Sequence, residues 1–79
     1  MNNRIVFAKN LLNLRKANNL SLVALGSILG ISNQAVSLLE KGKRSPSFEV
    51  LIAIADYFDV SLDYLVGRSN SHTSTEDFW

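Results

Sequence analysis

The chain contains no cysteine among its 79 residues, which excludes a disulfide framework and thiolate chemistry and suits a reducing compartment. Histidine occurs once, as His72, so neither a histidine-based triad nor a metal site with several His or Cys ligands can be assembled. No Gly-x-x-x-x-Gly-Lys loop is present to cradle a nucleotide phosphate. The carboxylates Asp56, Asp59 and Asp63 are spread out and read as solvated helix surface. No apolar run approaches the ~20 residues that cross a bilayer. Met1-Asn2-Asn3-Arg4 leads into a polar-interrupted pattern instead of a secretory leader. The expectations are therefore no enzymatic activity, no metal, no cofactor and no membrane partner, in a cytoplasmic protein.

What is present suits one small domain. Hydrophobic residues make up 47% of the chain, enough for a compact core. A chain this short buries limited apolar surface, which makes a second copy an expected source of stability. The net charge is only +1, but it is unevenly placed: every Lys and Arg lies at or before Arg68, whereas Glu76 and Asp77 stand in the last residues. Lys41, Lys43 and Arg44 form a basic cluster within a few residues, the pattern of a local contact with an anion such as phosphate or of a solvated loop.

The apolar periodicity predicts five helices and no strand. The first spans about residues 3–17, with Phe7, Leu11 and Leu14 at helical spacing, and Asn18-Asn19 stops it. Ser21 caps a second helix that runs to about Leu29 and ends at Gly30; Ser32 caps a third from Asn33 to about Lys41, ended by Gly42. After the loop Lys43-Arg44-Ser45-Pro46, Ser47 caps a fourth helix with Leu51, Ile54, Ala55 and Phe58 on one face. Ser61 caps a short fifth helix with Leu62, Leu65 and Val66, ended by Gly67. Residues 69–79 are rich in Ser and Thr and read as a polar tail or the start of a linker, in which Phe78 and Trp79 stand out.

Gly30-Ile31-Ser32 has the length and chemistry of the turn in a helix-turn-helix: a glycine to turn, an apolar plug, a serine to cap the next helix. At 100° per residue, Asn33, Gln34, Ser37 and Leu38 then share an arc of roughly 140°, while Ala35, Val36 and Leu39 lie elsewhere on the helix. Asn and Gln amides can pair bidentately with adenine, Ser37 can contact a base or a phosphate, and Leu38 can touch a thymine methyl. A solvated helix face is the plain alternative. The position after this turn and before the basic loop favours DNA.

These residues carry a resemblance. The chain resembles the phage-repressor-like (Xre/Cro) helix-turn-helix family through Leu14-Arg15, Leu20-Ser21, Leu25, Leu29-Gly30-Ile31-Ser32, Val36-Ser37, Leu39-Glu40, Gly42, Arg44, Pro46, Leu51, Ile54-Ala55 and Val60-Ser61-Leu62-Asp63-Tyr64-Leu65. The match runs from about residue 4 to residue 67. It implies an all-α, five-helix, lambda-repressor-like orthogonal bundle over residues 1–68. It also implies a transcriptional regulator, most often a repressor, that binds double-stranded operator DNA as a homodimer and is associated with the nucleoid when bound. By the same resemblance, Asn33, Gln34, Ser37 and Leu38 read bases in the major groove. Lys41, Lys43 and Arg44, with the helix starts at Ser21 and Ser32, hold phosphates. Arg15 and Glu40 form a structural ion pair that orients the reading helix. Tyr64, Val66, Phe78 and Trp79 are the candidates for dimerisation.

The chain departs from the family at Leu22-Val23-Ala24-Leu25-Gly26, where a polar residue followed by acids is usual. So apolar a second helix is expected to expose some of Leu22, Val23 and Ile28, and Gly26 to weaken it by ~1 kcal/mol. The reading face lacks Lys and Arg, which points to adenine and thymine over guanine. Two rivals stay open: a protein-interaction module on the same fold, such as an antitoxin or accessory factor meeting its partner at Leu22, Val23 and Ile28, and a non-specific architectural DNA binder.

Overall fold

The structure, a computed structural model, describes residues 3–68. It is all-helical there: α1 (Asn3–Ala17), α2 (Leu22–Leu29), α3 (Asn33–Glu40), α4 (Phe48–Phe58) and α5 (Leu62–Leu65). The polar tail expected at 69–79, with Phe78 and Trp79, lies outside the described residues.

One local device starts most of these helices. Ser21, Ser32, Ser47 and Ser61 each sit in extended backbone at an N-cap, and their hydroxyl oxygens accept the amide N–H three residues on, at 2.9–3.1 Å. Each satisfies one of the four amides that a helix start leaves without a partner. A second device ends all five. A left-handed residue (Asn19, Gly30, Gly42, Asp59 or Gly67) reverses the chain. The next amide then reaches back five residues, from Leu20 to Arg15, Ile31 to Gly26, Lys43 to Leu38, Val60 to Ala55 and Arg68 to Asp63. These are Schellman-type closures. Asn and Asp serve at two of them because a short polar side chain tolerates this backbone better than other L-residues do. The third helix stops at Glu40, with Lys41 as its C-cap, one residue before the sequence expectation.

The core draws on every helix. Leu11, Leu25, Val36, Ile54 and Leu65, one from each, are fully buried, and burying such a side chain stabilises by about 1.5–3 kcal/mol. Leu14, Leu20, Ile31, Leu51 and Phe58 pack around them while remaining partly exposed. α1 rests against both α3 and α5, and α2 against α3 and α4, so the helix pair α2–α3 is held from behind by the first and fourth helices. No single helix among the described residues is long and apolar enough to cross a membrane.

Candidate nucleic-acid interface

The axes of α2 and α3 differ by 102°, within the ~90–120° range of helix-turn-helix pairs. The turn is tight. Gly26 is buried, and a Cβ built on it would stand 2.6 Å from the carbonyl oxygen of Ile31 and 3.3 Å from the amide nitrogen of Asn33. The expectation that Gly26 only weakens its helix is thereby revised. The missing side chain is what lets the start of α3 press onto α2 this closely.

From that crossing α3 projects its polar face. Asn33 and Gln34 are exposed, Leu38 is 38% exposed, and Ser37 is half-buried. Their amides are free to approach a base edge, and Leu38 offers an apolar contact one turn further along. The hydroxyl oxygens of Ser21 and Ser32 accept cap bonds, which leaves each O–H hydrogen available for donation to an anion. Neither α2 nor α3 carries an acidic residue in its first turn, so nothing opposes the positive end of the helix dipole.

Beyond α3, Lys41, Lys43 and Arg44 are all exposed. The Schellman closure at Gly42 turns the loop back, and a groove of about 240 Å³ separates Ile31, Ala35 and Leu39 from Arg44, Ser45, Pro46 and Val50. The basic loop thus runs alongside the reading helix. Over residues 1–44 there are seven basic residues and one acid, Glu40; over 45–67 there are four acids and no base.

Glu40 is also the acid removed from the surface field. Arg15 donates from Nε to Glu40 Oε2 at 2.6 Å and from Nη2 to Oε1 at 3.0 Å, while Nη1 donates to the Leu20 carbonyl at 2.9 Å. The two side chains are only 14% and 7% exposed. The hydrogen bond to Glu40, aided by its charge and opposed by burial, holds the Arg15 guanidinium above its ordinary pKa, so the pair stays charged on the arginine side at any working pH. A bidentate Arg–carboxylate pair of this kind fixes orientation as well as distance, here between the last turn of α1, the entry to α2 and the end of α3.

Other expected positions fall differently. Of Leu22, Val23 and Ile28, some of which were expected at the surface, Leu22 is half-buried against the core, while Val23 (64%) and Ile28 (39%) are exposed. Those two stand about 140° apart around α2 and form no single stripe. Tyr64 and Val66 are half-buried, with Tyr64 packed against the core. Two features escaped the sequence reading. Asn10 donates to the carbonyls of Tyr64 and Leu65 at 2.9 and 3.2 Å, a contact across more than fifty residues that no local pattern announces. Phe48, 72% exposed, is the most exposed large apolar residue among the described residues and opens α4 directly after the basic loop; its place beside Ser47 was visible, its exposure was not.

Comparison with known proteins agrees with this geometry. Residues 11–65 match the family model described as helix-turn-helix. The chain is 41% identical over 66 residues to the uncharacterized HTH-type transcriptional regulator YqaE of Bacillus subtilis, covering 82% of this chain and 57% of that protein. It is 33% identical over 73 residues to antitoxin PezA of Streptococcus pneumoniae, covering 92% of this chain and 46% of PezA. It therefore spans about half the length of these relatives. Among solved structures, the P22 c2 repressor protein, crystallised in complex with a synthetic operator, superposes with a TM-score of 0.75 at 30% identity, over 80% of this chain and 96% of that one. Since the matched segment contains the turn, the capped third helix and the basic loop, the chain belongs to the helix-turn-helix family.

Proposed function

We propose that this chain is the sequence-specific, double-stranded-DNA-binding part of a transcriptional repressor, and that it reads an operator as a homodimer. The observation that carries the reading is the exposed, uncharged polar face of α3 at Asn33 and Gln34, set directly between a capped, acid-free helix start and an exposed basic loop. Phosphate contacts give register and base contacts give sequence. In this reading Lys41, Lys43, Arg44 and the starts of α2 and α3 at Ser21 and Ser32 hold the backbone. Asn33, Gln34, Ser37 and Leu38 meet bases, with adenine and thymine preferred. Two copies related by a two-fold axis would address half-sites about 34 Å apart. The operator complex of the similarly folded P22 c2 repressor supports the choice of ligand.

Selection from a random duplex pool at two salt concentrations tests it. The expected result is one A/T-leaning palindrome, whose enrichment disappears for Gln34→Ala. If no sequence is enriched, the reading fails.

A second reading, a protein-interaction module, draws on the similarity to an antitoxin across 92% of the chain and on the exposure of Val23. It predicts that Val23→Glu abolishes function in cells while operator affinity is unchanged.

A further inference from the structure

α1 touches both ends of the functional problem. Near its C-terminus, Arg15 grips Glu40 at the end of the reading helix. In its first turns, Ile5 and Ala8 press on Gly42, where a Cβ would come within 2.7 Å of Ile5 Cδ1. On another side of α1, Val6 packs on Gly67 so closely that a Cβ there would meet Val6 Cγ1 at 2.5 Å. Between these contacts, Asn10 donates to two carbonyls at the end of α5. α5 is a single turn of four residues, too short to hold a direction by itself. No contact comparable to those of α1 joins α3 to α5 directly. α5 packs on α1 and on α4 alike, but only α1 of these two also packs closely on α3, α4 reaching it by way of α2, so α1 is the most direct link between α5 and the third helix, and Asn10 is a side chain on α1 that hydrogen-bonds to the α5 backbone.

We propose that Asn10 is a positioning residue that sets the orientation of α5, and of the chain leaving it, relative to the DNA-reading helix. Its side-chain amide suits the task, because it can donate to the Leu65 carbonyl and to the Tyr64 carbonyl, which also accepts the Gly67 amide. The consequence for operator choice rests on the proposed DNA reading: in a dimer joined through α5 or beyond, a loosened α5 would relax the preferred spacing between half-sites.

The test has one arm without DNA and one with it. The chain has no native cysteine, so nitroxide labels can be placed at Gln34→Cys and Arg68→Cys alone, both exposed. A narrow distance distribution is expected with Asn10 in place. Asn10→Asp, which turns a carboxylate toward two carbonyl oxygens, and Asn10→Ala should broaden it while helicity persists, and Asn10→Gln should narrow it again. In the second arm, unlabelled Asn10→Ala should bind a single half-site within about twofold of the parent. It should lose about tenfold on a two-half-site operator and tolerate a spacing changed by one base pair, since linked binding depends on geometry. An unchanged distance distribution in both variants overturns the proposal, as does loss of folding in all three. Failure of the parent to prefer any duplex would sink the DNA reading while the label distances still decide the role of Asn10.

Discussion

The starts of α2 and α3 and the starts of α4 and α5 are built alike and differ in one respect. All four use a serine N-cap in extended backbone. The first turns of α4 and α5 add an acid, Glu49 and Asp63, whereas those of α2 and α3 carry none. An acid at that place stabilises a helix through its dipole and repels an incoming phosphate. The chain thus follows the local stability rule in its acidic segment, at α4 and α5, and departs from it at the two helices that flank the turn, as at α1. Such a departure from local consistency is where a functional site is expected.

The largest effect should come from the pair that ties α1 to the entry of α2 and the end of α3. Glu40→Ala leaves the guanidinium of Arg15 buried with only the Leu20 carbonyl for a partner. It should lower unfolding free energy by about 3 kcal/mol in urea titrations, far more than removing an exposed acid such as Asp56. A loss under about 1 kcal/mol would mean that the pair is no more than a surface ion pair.

Exchanging the sign rule between the two regions is the next test. Gln34→Glu puts an acid into the first turn of α3. It should leave the melting temperature equal or slightly raised and weaken operator binding at least about tenfold, as loss of one bidentate base contact would. Glu49→Gln in α4 should do the reverse, costing up to about 0.5 kcal/mol of stability with affinity unchanged. Equal affinity losses in both variants would erase the distinction between the regions.

A smaller and purely electrostatic effect is expected at Lys43→Gln. Operator and random duplex should weaken alike, and the slope of log K against log salt should flatten by about 0.9. A selective loss on the operator would assign Lys43 to base reading instead.

The smallest effect on DNA binding, none at all, is expected where the comparison concerns how the helices end. α3 closes through Gly42 and α4 through Asp59, with the same backward hydrogen bond but a left-handed residue of different type. Asp59→Gly relieves the Cβ at φ 54° and removes a negative charge from a helix C-terminus. It should raise stability by about 0.5–1 kcal/mol in thermal melts, with no change in DNA binding.

The helices, their order and almost all their boundaries were legible because each signal is local. A serine hydroxyl reaches an amide three residues on, and a left-handed residue closes a hydrogen bond across five, so both devices can be read in a short window. The polar face of α3 was legible for the same reason: helical periodicity groups Asn33, Gln34, Ser37 and Leu38 whatever surrounds them. The resemblance to repressors supplied the pairing of Arg15 with Glu40, which no local pattern indicates. That some of Leu22, Val23 and Ile28 are exposed was legible; which of them turns inward was not, because hydropathy alone does not rank several apolar residues on one helix.

What the sequence determined by itself, then, is the set of capped helices, the turn between α2 and α3 and the chemistry displayed on α3. The tertiary structure decided what joins those pieces. It showed that Gly26 is needed where two backbones nearly touch, that Arg15 and Glu40 are bidentate and nearly buried, and that Asn10 holds the end of α5. The last two depend on side chains that meet partners across 25 to 55 residues of chain. Their partners are selected by how the five helices pack around Leu11, Leu25, Val36, Ile54 and Leu65, and packing is a property of the assembled core that no local window contains.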